Sequence, residues 1–95
     1  MNKDKLISNI VTELLLVFEK NIPNIKAQDY EKLADELLLT GAITLKKLGN
    51  DEMMKEYESK HAIGFKTVET LKMQANYNER LIFLTKLFED IFRDF

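Results

Sequence analysis

The chain has 95 residues, 45% of them apolar and 32% charged, with a net charge of −2 and no cysteine. That length holds one hydrophobic core and so one domain, residues 1–95, and the composition is neither depleted enough for disorder nor apolar enough for a membrane protein. Charge is interleaved, as in Lys55-Glu56-Tyr57-Glu58-Ser59-Lys60, which leaves no basic face to neutralise phosphates and argues against nucleic acid as a partner.

The lack of cysteine excludes disulfides and thiol chemistry and favours a reducing, cytoplasmic setting. No segment reaches the roughly 20 apolar residues of a bilayer crossing, so no membrane association is expected. Ser8, Asn9, Thr12 and Glu13 interrupt the first apolar stretch, which therefore lacks the unbroken core of a signal peptide.

Residues 5–21 carry Leu6, Ile7, Ile10, Val11, Leu14, Leu15, Val17 and Phe18 on one half of a helical projection, the first helix. Leu16 alone sits among the polar residues. Asn21 and Pro23 end this helix, because proline lacks an N–H and disfavours helical backbone before it. A second helix is expected from about Gln28 or Asp29, the carboxylate acting as cap, to Leu48, with Gly49-Asn50 as its stop. Its inward face is Tyr30, Leu33, Ala34, Leu37, Leu38, Gly41, Leu45 and Leu48, while Leu39 and Ile43 point the other way. Gly41 on that face either admits a close neighbour or breaks the helix.

Asp51 is placed to cap a third helix running to about Ala75, with the repeat Met54, Tyr57, His61, Gly64, Val68, Leu71, Ala75. The apolar phase then slips by one position to Tyr77, Leu81, Leu84, Phe88, Ile91, Phe95. Two helices joined by a tight turn explain the slip, and so does one long kinked helix. The fold class that follows is all-α, an antiparallel bundle of about four helices joined by short connections.

His61, the only histidine, lies on the apolar stripe of the third helix and is expected to be buried and structural. Glu58-Ser59-Lys60-His61 resembles, over two residues, the Glu-x-x-His pairs of di-iron carboxylate bundles. That resemblance implies Glu58 and His61 as metal ligands, completed only by dimerisation and by further carboxylates such as Glu13, Glu19, Glu31 or Glu36. In size and outline the chain also resembles histidine phosphotransfer domains, which place a lysine and then a glycine soon after the phosphoacceptor. Here His61-Ala62-Ile63-Gly64-Phe65-Lys66 departs from that order at the lysine. Gly41, Gly49 and Gly64 are too scattered for a phosphate cradle, and no serine has a histidine and acid at activating spacing.

The expected function is therefore that of a small non-catalytic interaction or regulatory protein, needing no cofactor, that binds a partner protein and self-associates. Surplus apolar surface carries the expectation: Phe88, Ile91, Phe92 and Phe95, divided between core and intermolecular contact, together with Leu16, Leu39 and Ile43. Acids Glu89, Asp90 and Asp94 near the negative end of the last helix would then be offset by basic residues of a second copy. Small immunity proteins, antitoxin-like regulators and phage-encoded inhibitors share this size and architecture, an analogy with no shared motif behind it.

Overall fold

A computed structural model describes residues 2–48 and 50–95. Among these the chain is all-helical, with α1 (Lys3–Asn21), α2 (Tyr30–Lys47), α3 (Asp51–Ser59), α4 (Phe65–Met73) and α5 (Tyr77–Ile91), and two 3-10 turns at Ile22–Asn24 and Ala27–Asp29. Five α-helices thus stand where about four were expected. The extra one arises because the third expected helix breaks between Ser59 and Phe65. The phase slip after Ala75 is a true interhelical turn, so residues 51–95 form three helices. No helix among the described residues is long and apolar enough to cross a membrane.

Asparagine starts three of the helices. Asn2 accepts from the N–H groups of Asp4 and Lys5, Asn50 from Met53 and Asn76 from Glu79, each satisfying amides that the first helical turn leaves without partners. The caps expected at Asp29 and Asp51 fall differently. The Asp29 carboxylate accepts from the Lys26 N–H and closes the preceding 3-10 turn, while Asp51 is already helical behind Asn50. Pro23 sits in the 3-10 turn after α1, where its missing N–H costs nothing. Gly49, expected to stop α2, lies outside the described residues, and α2 ends at Lys47.

Helix α1 is central, packed between α2 and α5, while α2 also carries α3 and α4. Its Ile10, Val11, Leu14, Leu15 and Phe18 are wholly buried in a single core shared with Leu37, Leu45, Tyr57, Val68, Leu71, Leu84, Phe88 and Phe92. Arg80 fixes the start of α5 to the end of α1: its Nε donates to Glu19 Oε1 at 2.8 Å, and its guanidinium lies over the Phe18 ring. At the opposite end Lys3 of α1 donates to the Phe92 carbonyl just after α5.

The only ring-to-backbone lock in the core involves Gly41, among the described residues. Tyr57 lies flat against Phe88 and sends its hydroxyl to the Leu37 and Leu38 carbonyls at 3.3 and 3.0 Å. A Cβ on Gly41 would meet the Tyr57 hydroxyl and lie 2.7 Å from its Cζ. Gly41 is therefore helical, inward and closely approached, as its position on the apolar face implies. Gly64 is not. It is the extended residue before α4, with nothing within 4 Å of an added Cβ.

Candidate functional site

His61 is exposed, not buried. Helix α3 ends at Ser59, and His61 follows the helix cap in a left-handed conformation, φ 48°, with its N–H reaching back to the Glu58 carbonyl. An αL residue at this point is a common way to terminate a helix. The helical geometry that would set Glu58 and His61 one turn apart on a single face is consequently lost. Among the described residues no group of three or more His, Cys, Asp or Glu side chains is placed to share a metal ion. The outline of a phosphotransfer domain also fails locally, because the histidine occupies an interhelical turn and not a helix surface.

The C-terminal apolar surplus is largely absorbed within the chain. Phe88, Ile91 and Phe92 belong to the core, in a run of ring contacts from Tyr57 through Phe88 and Phe92 to Phe95, and only Phe95 reaches the surface, 45% exposed. The negative end of α5 is also served from within. Lys60 donates to the Ile91 carbonyl at 2.9 Å, Lys3 to that of Phe92, and Arg93 pairs with Asp90. The basic partner expected from a second copy is supplied by the same chain.

What remains is the outer side of α1 and α2. Leu16, Leu39 and Ile43 are 54%, 61% and 46% exposed, opposite the buried faces of their helices. Between these helices one hollow is lined by Asn9, Thr12 and Glu13 against Thr44, Lys47 and Leu48. A second hollow is lined by Lys20 and Asn21 against Asp29, Lys32 and Glu36. Helical spacing places Leu16 one turn from Thr12 and one from Lys20, Leu39 one turn from Glu36, and Ile43 one turn from both Leu39 and Lys47. The three aliphatic side chains thus stand on the outward faces of two helices that pack together, and they line neither hollow. Met73 and Tyr77 are exposed too, but at the ends of α4 and α5 flanking a turn, and Ile82 stands singly on α5.

Among the described residues the only strongly displaced titration belongs to Tyr57, whose hydroxyl is held far above the usual tyrosine range by burial and, secondarily, by the Glu58 carboxylate. A phenol so held stays neutral and acts as a hydrogen-bond donor, here to backbone. No match is found to any protein-family model, to curated proteins or to solved structures.

Proposed function

We propose that this chain works without catalysis, as a cytoplasmic helical module that binds a partner protein through the outer face of α1 and α2 and self-associates through the same face. One observation carries the reading: three large aliphatic side chains are exposed on the outward faces of two consecutive helices that pack together. Isolated exposed apolar residues are ordinary on soluble proteins, whereas an aligned group rimmed by polar residues marks a contact surface. Helices α1, α2 and α5 and the broken α3–α4 arm form the four arms of an antiparallel bundle in this reading. The meeting of the α1 C-terminus with the starts of both α2 and α5 supports it.

The test is site-specific photocrosslinking in the native host, with a benzophenone amino acid at position 39 or 43 and, as control, at the exposed Lys55. Discrete adducts to protein from positions 39 and 43 and none from 55 are expected. Absence of adducts at 39 and 43, or the same pattern from all three positions, overturns the reading.

A further inference from the structure

Around Leu39 and Ile43 the outward face of α2 carries Asp35, Glu36, Lys46 and Lys47, all six exposed, with the exposed Lys32 on the same face one turn further toward the start of the helix. Acids precede the aliphatic pair by one turn and lysines follow it by one turn. None of the four charged residues takes part in an ion pair within the chain among the described residues. Resting on the interaction reading above, we infer that α2 pairs antiparallel with α2 of a second copy about a two-fold axis level with Gly41, which joins Leu39 and Ile43 in reciprocal contact and sets Asp35 and Glu36 against Lys46 and Lys47 of the other copy.

The register follows from symmetry. An isologous interface must be self-complementary, and two antiparallel copies of a helix related by a two-fold axis meet with residues equally distant from the axis at the same level. Gly41 lies midway between Leu39 and Ile43, so each leucine comes level with the other copy's isoleucine. Asp35 and Glu36 lie as far before Gly41 as Lys47 and Lys46 lie after it. Both acid–base sets are therefore satisfied twice by one docking geometry. A parallel arrangement would instead set acids against acids and lysines against lysines, a like-charge juxtaposition that opposes it. Gly41 itself faces inward onto Tyr57, so the axis does not require it at the contact.

Two aliphatic residues per copy make a small interface, below the size of tight permanent dimers. The dimer is accordingly a weak one, and its charged flanks make it weaken as salt screens them.

The deciding experiment uses sedimentation velocity on the full chain and two charge variants, Asp35→Lys/Glu36→Lys and Lys46→Glu/Lys47→Glu. All four positions are exposed on the helix surface, and far-UV circular dichroism checks that helical content is kept. The parent is expected to move from one chain toward two as concentration rises from micromolar to millimolar, less so at high salt. Each variant alone is expected to stay monomeric, because positions 35, 36, 46 and 47 then share one sign of charge and like meets like in the antiparallel register. An equimolar mixture is expected to associate at least as strongly as the parent, because four basic positions then meet four acidic ones. A parent that stays monomeric throughout, or variants that each dimerise like the parent, overturns the inference. Crosslinks from positions 39 and 43 to a different protein would still uphold the partner-binding half of the interaction reading in either case, while a parent that stays monomeric removes its self-association half.

Discussion

Tyr57 occupies the one stretch of α2 that has no side chain of its own, and the two residues depend on each other. Replacing Gly41 by alanine adds about 1 kcal/mol of helix propensity but drives a Cβ into a buried ring, an overpacking that costs about 1 to 3 kcal/mol. A net loss of stability is expected for Gly41→Ala and a larger one for Gly41→Leu. Tyr57→Phe removes a hydroxyl whose acceptor carbonyls are otherwise served by the helix, at a cost of about 1 kcal/mol. Because it also removes the nearest atom, the double variant with Gly41→Ala should lose less than the two single losses together, as thermal melts will show. Gly64→Leu, in extended backbone with open space beside it, should melt within about 0.5 kcal/mol of the parent. The raised titration of Tyr57 has its own signature. Below pH 10 both folded and unfolded chains hold the phenolic proton. Above it the unfolded chain releases the proton while the folded one keeps it, so stability falls with pH by about 1.4 kcal/mol per unit from this group. The advantage of the parent over Tyr57→Phe should narrow above pH 10 in denaturant titrations, and an unchanged difference would contradict the buried, neutral phenol. His61 carries left-handed backbone that glycine adopts without steric cost. His61→Gly should leave stability unchanged or raise it by up to about 1 kcal/mol.

Helix α5 is anchored at both ends by side chains of other elements, and the two kinds of ion pair near it should behave differently. Arg80 is only 7% exposed, so Glu19→Gln leaves a buried guanidinium without its counter-charge. That change should cost about 1 to 3 kcal/mol in urea unfolding, whereas Arg93→Gln, which breaks the solvated pair with Asp90, should cost under about 1 kcal/mol. Equal losses would mean that the Glu19–Arg80 pair is no better than a surface contact. The helices α1, α2 and α5 were legible from apolar spacing, and the phase slip after Ala75 marked a real turn. The break before α4 was hidden because Tyr57, His61, Gly64 and Val68 continue the same spacing across it. Helix α3 ends at Ser59, and the chain turns away two residues later at a histidine in the conformation usually given to glycine, without a proline to announce it. The outward residues Leu16, Leu39 and Ile43 were legible as violations of amphipathic phase. The fate of Phe88 and Phe92 was not, since whether a broad apolar face is buried depends on the depth of its neighbours, here the Tyr57 ring.

At the scale of the molecule, stability is graded outward from α1. This helix packs against both α2 and α5, and from Ile10 to Phe18 it contributes five wholly buried side chains to the core. Its amides can open only when those contacts separate together. Helix α4 packs chiefly on α2, is nine residues long, and is bounded by the turns at Lys60–Gly64 and Gln74–Asn76. So short a helix holds little intrinsic stability, and opening it leaves the α1–α2 and α1–α5 contacts in place. The Lys72 bond to the Ile25 carbonyl and the Tyr30–Phe65 ring contact are the polar and aromatic ties that such opening must break. Hydrogen exchange followed by mass spectrometry should therefore show α1 amides exchanging slowest, at the rate set by global unfolding, with α4 and its flanking turns exchanging well before them. Denaturant should accelerate exchange in α1 strongly and in α4 weakly, because the first exposes the whole core and the second a small part of it. Uniform protection across α1 and α4, with the same denaturant dependence, would show instead that the five helices open as one unit.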